Sequence, residues 1–440
     1  MMRSMYSGVS GLRVHQTRMD VIGNNIANVN TVGFKSGRVI FSDVFSQVNR
    51  GAGAPDPNTG RGGTNPMQVG LGANVYAIDN LMMRGSVQRT DNPTDIAIDG
   101  EGFFIVRGGV FDSYKFTRAG NFTLDAVGNL VTSSGMNVLG WQSFEWNNDT
   151  KSYEFNTELP LEEINIYTDV HNGNKRVLAP QATTMAEFMG NLDSETEVGK
   201  TVNIPYVVYD DIGNRHELMI TFTAGAANAT NTEREWTYEI TGDASVTLGA
   251  GATGGTVTFG TGGSPNNGRV IDPTAPVDLE INPAGTINIA SPFTMTLDFT
   301  KMTQYSSPSN VKPSTVDGYT TGTFETFNIG QDGIISAVYS NGVMRPLALI
   351  ALAKFENPAG LFKEGDNLFT QTTNSGTFTR GFPPMYEGTG KLAPGTLEMS
   401  NVDLSREFSD MIVTQRGFQA NTRIITTSDE MLMELVNLKR

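Results

Sequence analysis

The chain contains no cysteine in 440 residues. That absence excludes disulfides, thiolate metal sites and cysteine nucleophiles together. It suits a cytoplasmic protein, or an exported one that travels unfolded through a narrow conduit and folds late. Histidine is nearly missing too. His15, His171 and His216 are the three present, and no two stand at helical ligand spacing, so each reads as an ordinary surface or core residue rather than a metal ligand. Long apolar runs are also lacking. The opening "MMRSMYSGVSGLRVHQ" has no stretch resembling a signal-peptide core, and nothing approaches the ~20 apolar residues of a membrane span. No membrane insertion is expected, and any export must proceed without a cleaved signal. Basic residues are outnumbered, with a net charge of −15. Phosphate binding needs clustered Lys and Arg, so nucleic acid is not an expected partner.

Catalytic patterns fail on inspection. "VGKT" at 198–201 resembles the end of a phosphate loop, but the required first glycine is Ser194 and strand-like "VNIPYVVY" follows. "GTGGSPNNG" (260–268) is glycine-rich with no helix after it to hold an anion. "DGEG" (99–102) is explained by an Asp-Gly hairpin turn between strands in "DIAIDGEGFFIV". No acid–base pair or Ser–His–Asp set can be nominated, and no enzyme activity, catalytic residue, metal or cofactor is expected.

The two ends are helical. In residues 403–440 one heptad column is wholly apolar: Leu404, Met411, Phe418, Ile425 and Leu432. The neighbouring column reads Phe408, Gln415, Thr422, Asp429 and Val436. Coiled-coil spacing is sustained for more than four heptads. Asp403 is the expected N-cap, and Lys439 and Arg440 suit the C-terminal end of the dipole. At the N-terminus Met5, Val9, Leu12, Met19, Ile22, Ile26 and Val29 repeat the spacing. Neither helix is expected to be stable alone. The polar residues Gln415, Thr422 and Asp429 read either as a solvated flank or as register control.

Between the ends the sequence is β-rich. "IPYVVYDDIGNRHELMITFT" (204–223) and the Asn341-Gly342 turn within 334–355 are hairpin signals. Short strands with frequent turns predict mainly antiparallel sandwiches or barrels. Residues 241–300 hold one basic residue, Arg269, and much Gly, Thr and Val, as a separate β domain would. Residues 47–70, "QVNRGAGAPDPNTGRGGTNPMQVG", read as a long loop, functional or disordered.

The fold class is therefore α+β multidomain: discontinuous, coiled-coil-like N- and C-terminal helices plus mainly antiparallel β domains. Four parts are expected. They are 1–32 with 401–440 (paired helices), 33–88 with 385–400 (connecting segment and long loop), 89–168 with 322–384 (inner β domain), and 169–321 (outer β domain).

"SGLRVHQTRMDVIGNNIANVNTVGFKSGRVIFSDVF" (10–45) closely resembles the N-terminal signature of the flagellar rod and hook proteins. The matching positions are Ser10, Gly11, Leu12, Asp20, Gly23, Asn24, Asn25, Ile26, Ala27, Asn28, Asn30, Thr31, Gly33, Phe34 and Lys35. "GTLEMSNVDLSREFSDMIVTQRGFQANTRIITTSDEML" resembles the family's C-terminal signature, and "DIAIDGEGFFIV" its inner β domain. The overall length, with a large mid-chain insertion, resembles the hook members rather than the shorter rod members.

The resemblance implies terminal helices that pack between copies into a tube around a central export channel, with β domains outside. The seam residues named above would then make inter-subunit contacts. The implied partners are other copies of the chain, a distal rod protein, a hook–filament junction protein, a hook cap during assembly and the flagellar export apparatus. The implied location is the extracellular hook. "FSDVF" places Phe41 and Phe45 in an F-x-x-x-F similar to a gate-recognition motif of export substrates. The alternative for this pair is a helical turn with both rings in a small core. Three alternatives for the whole chain stay open at this point: a distal rod subunit, a secreted β-protein on a coiled-coil stalk, and an enzyme, which would need a cleft of converging titratable groups that nothing in the sequence predicts.

Overall fold

The computed structural model describes residues 2–55, 62–108, 113–147, 152–169, 171, 173–229, 232–243, 246–249, 253–262, 266–283 and 291–438. The expected helix-end cations Lys439 and Arg440, and the middle of the 47–70 segment, lie outside the described residues. The chain forms two compact units. The first comprises Met1–Gly173, Phe327–Ser336 and Pro346–Arg440, and the second Asn174–Thr326 and Ala337–Arg345.

The first unit carries both long helices, α1 (Met2–Ala27) and α2 (Leu404–Asn437). Asp403 caps α2, its carboxylate accepting from the backbone N–H groups of Ser405 and Arg406. After α1 the strand Gly37–Asp43 pairs antiparallel with Ala73–Asn80, with a bulge between Ile40 and Phe41. The β layer of this unit is built on Phe103–Arg107, which is flanked by Tyr114–Thr117 on one side and Asn137–Trp141 on the other. Its core is aromatic. Phe116 meets Phe355 edge-on at 4.7 Å between ring centroids, and Phe103 meets Phe369 at 5.8 Å. Such pairs add to plain area burial.

The second unit is a sandwich of two five-stranded sheets. Its strands alternate cleanly, as period-2 geometry requires when one face is buried. In Glu233–Gly242, Arg234, Trp236, Tyr238 and Ile240 point inward while Glu233, Glu235, Thr237 and Glu239 face solvent. The hairpin read at 204–223 is present, as Thr201–Tyr209 paired with Arg215–Ala227. Pairing is mainly antiparallel, but Met185–Asp193 runs parallel to Phe293–Tyr305.

Four sequence readings need correction. Ile96–Asp99 does not form a hairpin across Asp99-Gly100; it pairs with Lys391–Pro394. Gly100 has φ +137°, and a Cβ there would lie 2.6 Å from the Cα of Gly390, so the glycine serves a close backbone crossing. The 47–70 segment is not simply a loop. Ser46–Arg50 and Met67–Gly70 form an antiparallel ribbon, extended by a Gly53–Thr64 bridge. "FSDVF" is not a helical turn: Phe41 sits in the strand Gly37–Asp43, and Phe45 lies just beyond it, 80% exposed. Residues 322–326 and 337–345, expected in the inner β domain, fall in the second unit. There the Tyr339 hydroxyl donates to Lys175 O and Asn341 Nδ2 to Thr320 O.

Candidate assembly surface

The two helices pair antiparallel, and the paired face is made of small and polar residues. Ser4 Oγ lies 3.4 Å from Ser428 Oγ at one end, and Arg18 pairs with Asp410 at 2.9 Å toward the other. Between them Gly8 faces Ile425, where a Cβ would come within 3.3 Å of the side chain. Gly11 faces the Asn421 amide, and Gly417 lies against the ring of His15. Thr414 and Ser428 are the two buried residues of α2, at 0% and 2% exposure. Small side chains let the helix axes approach closely, but they bury little apolar area. His15 is held below its usual value of 6.5, chiefly by burial and then by the Arg18 charge.

Apart from Ile425 against Gly8, much of the apolar side-chain surface is left outside this contact. Among the residues expected at inter-subunit contacts, Val9, Leu404, Phe408, Phe418 and Val436 are 37–67% exposed in the single chain. Met5, Leu12, Met19, Ile26, Val29, Met411, Ile425 and Leu432 are half-buried. Ile22 differs, at 5% exposure inside the chain. The structure adds residues that the heptad columns missed: Ile412, Val413, Ile424, Met431, Met433 and Leu435, each 42–62% exposed. They lie off both columns, so a single-seam reading passes over them.

The reason for the exposure is geometric. Hydrogen bonding between the helices is seen as far as Ser4–Ser428, and α2 runs on to Asn437. This end of the chain contains Met431, Met433, Leu435, Val436 and Leu438, which is 80% exposed. Gln415, Thr422 and Asp429 are exposed, and the Thr422 hydroxyl is spent on Phe418 O of its own helix.

The asparagine-rich end of α1 is an anchor. Asn25 is 1% exposed. Its Nδ2 donates to Gly37 O at 2.9 Å and to Glu407 Oε1 at 3.2 Å, while its Oδ1 accepts from Gly37 N at 2.9 Å. One side chain thus ties α1 to the following strand and to α2. Asn28 reaches back to Asn24 O at 2.9 Å, and Thr31 Oγ1 donates to Asn28 Oδ1, which is how a frayed helix end satisfies its carbonyls.

Of the remaining signature positions, Ser10 Oγ donates to Ser7 O and accepts from Ala73 N. Asp20, Gly23, Ala27 and Asn30 are exposed. Gly33 has φ +68°, and a Cβ there would lie 2.7 Å from Ala119 N. Phe34 is buried under the Lys363 ammonium, 3.9 Å from the ring centroid. Lys35 is 2% exposed and pairs with Glu398 at 2.6 Å, and Arg118 reaches the same carboxylate at 3.3 Å. Burial pulls Lys35 below the usual lysine range. Sequence reasoning did not single out Glu398 or Arg118; one acidic and one basic residue far apart carry no local signal.

Phe41 packs edge-on against His15 at 6.0 Å and under Arg18 at 5.7 Å. Among the described residues no group of three His, Asp or Glu could hold a metal ion, and no helix is long and apolar enough to cross a membrane.

Comparisons with known proteins cover the chain from end to end. Four family models match. They are Flagella basal body rod protein over 5–35, Flagellar hook protein FlgE/F/G D1 domain over 97–174, Flagellar basal body protein FlaE D2 domain over 172–319, and Flagellar basal body rod FlgEFG protein C-terminal over 393–438. The chain is 40% identical to the flagellar hook protein FlgE of Borreliella burgdorferi over 463 residues, covering 100% of both. It is 38% identical to the flagellar hook protein FlgE of Treponema pallidum over 482 residues, again covering 100% of both. It is 31% identical to the flagellar basal-body rod protein FlgG of Bacillus subtilis over 440 residues, with 100% of both covered.

Proposed function

The chain belongs to the flagellar hook protein family, and from that premise we propose how its surfaces perform the work of a hook subunit. It is a structural, non-enzymatic component of the bacterial flagellum that assembles with copies of itself. In the proposed arrangement the terminal helices form the inner wall of a curved hollow tube that encloses the export channel. That wall carries torque from rod to filament, as a universal joint does. The β units lie outside it. The observation that carries this reading is the apolar end of α2, where Met431, Met433, Leu435, Val436 and Leu438 are 50–80% exposed in the single chain and would be covered by another copy.

The outer unit suits contacts that slide. Thr201, Thr223, Thr237 and Thr256 stand in register across four strands on the solvent face, beside Glu233, Glu235 and Glu239. Short, polar and acidic side chains favour wet, readily exchanged interfaces over a large apolar one. The distal rod protein, the hook–filament junction protein and the hook cap are the proposed neighbours along the axis. Export through the flagellar apparatus without a cleaved signal is proposed, with Phe41 and Phe45 read while the chain is unfolded. Gln415, Thr422 and Asp429 are proposed to set helix register between copies.

Electron microscopy of the polymerised protein tests the reading. Curved hollow tubes are expected. Straight tubes would favour a rod subunit, and isolated stalks that never polymerise would overturn assembly through the helices.

A further inference from the structure

We propose that Glu398 is the positioning residue of assembly, clipping both terminal arms to the β layer of the first unit and fixing the direction in which the helix pair leaves it. Its side chain is fully buried. Oε1 accepts from Lys35 Nζ at 2.6 Å and from Gly85 N at 3.0 Å, and Oε2 accepts from Arg118 Nη1 at 3.3 Å. Its backbone carbonyl accepts from Gly33 N at 2.8 Å. One residue of the C-terminal arm therefore holds the N-terminal arm at Gly33 and Lys35, the irregular segment between Ala73–Asn80 and Val87–Arg89 at Gly85, and the β layer at Arg118. Each partner is fixed in turn: Lys35 Nζ also donates to Met83 O and Arg118 Nη2 to Gly100 O, both at 2.9 Å. Asn401, three residues on, repeats the pattern, accepting from Ser36 N at 2.8 Å and donating to Leu81 O at 2.8 Å.

The charge balance makes the clip asymmetric. Two buried cations share one carboxylate, with Arg84 and Glu101 the further charges felt at the site and Arg84 itself paired with Asp99. Removing the carboxylate leaves Lys35 and Arg118 facing each other with only Glu101 to offset Arg118, which is more disruptive than losing a hydrogen bond. Removing Lys35 leaves a neutral Glu398–Arg118 pair. Glu398→Gln is therefore expected to open the clip, whereas Lys35→Met is expected to free only the N-terminal arm.

The inference rests on the assembly reading, but its test begins on the unpolymerised chain. Amide hydrogen exchange is followed in full-length Glu398→Gln, Lys35→Met and the double variant. In Glu398→Gln, residues 33–36 and 83–86 are expected to exchange about tenfold faster, a local opening, while 103–107 keep their protection. In Lys35→Met, 33–36 are expected to loosen more than 83–86. The double variant, which buries one cation fewer, is expected to recover part of the protection at 83–86. Polymers of Glu398→Gln are expected to vary in curvature from one tube to the next. Unchanged exchange at 33–36, or equally faster exchange at 103–107, overturns the proposal. If Glu398→Gln does not fold, Glu398→Asp keeps the charge with a shorter reach and is judged by the same two outcomes. Failure of the unaltered protein to form tubes would count against the assembly reading while leaving the exchange result decisive for the clip.

Discussion

Replacing Met431 and Leu435 with glutamine should abolish assembly at concentrations where the unaltered chain polymerises, without harming the fold. Both side chains stand one turn apart near the end of α2, each 50% exposed. Full burial of such a side chain is worth ~2–3 kcal/mol, so the half still open to solvent represents about 1–1.5 kcal/mol at each position. The pair then removes about 2–3 kcal/mol per subunit from the contact between copies. At 1.4 kcal/mol per tenfold, the critical concentration rises roughly 30- to 150-fold. Glutamine matches both residues in helix propensity, so α2 itself is little affected. Since the changes lie on a surface that the single chain leaves open, unfolding of the monomer should move by no more than about 0.5 kcal/mol. Sedimentation of polymer from monomer across a concentration series measures the first quantity, and thermal unfolding of the monomer the second. An unchanged critical concentration would refute the reasoning. So would a large loss of monomer stability, because it would show that the end of α2 already has a partner inside the chain.

Gly33→Ala should destabilise the first unit by at least about 1 kcal/mol, since it meets both a positive φ and a backbone nitrogen 2.7 Å from the new Cβ; denaturant unfolding checks it. Asn25→Ala strands Gly37 N and O without their side-chain partners and should cost about 2–4 kcal/mol, read from the same unfolding curves. Because His15 titrates below its free value of 6.5 in the folded chain, its contribution is present above that pH and lost as pH falls through the lowered value. Helix pairing should therefore loosen on mild acidification, and His15→Gln should remove that step from a helix-content titration. Replacing Gln415, Thr422 and Asp429 together with leucine should give misaligned aggregates under the electron microscope, whereas ordinary tubes would assign these residues to a solvated flank.

Much of this architecture was legible because it is local. The heptad columns placed both helices, Asp403 announced its own cap, and alternation in 204–223 marked a hairpin whose partner lies next in sequence. What escaped depends on distant partners. Ile96–Asp99 looks like half of a hairpin, yet pairs with Lys391–Pro394. Glycine and proline in 47–70 concealed a ribbon whose strands frame that composition on either side. The apolar columns carried no sign of the small residues Thr414, Gly417 and Ser428, which share the intrachain contact with Ile425 and leave larger side chains such as Phe408 and Val436 exposed. Glu398 gained its meaning only when Lys35, Gly85 and Arg118 converged on it.

The most direct test is amide hydrogen exchange along α2, Leu404–Asn437, in dilute monomer and in polymer. The account predicts rapid exchange in the monomer, fastest from Met431 onward, and strong protection once copies assemble. Equal protection in both states would contradict it, because the helix would then draw its stability from its own chain and owe nothing to its neighbours.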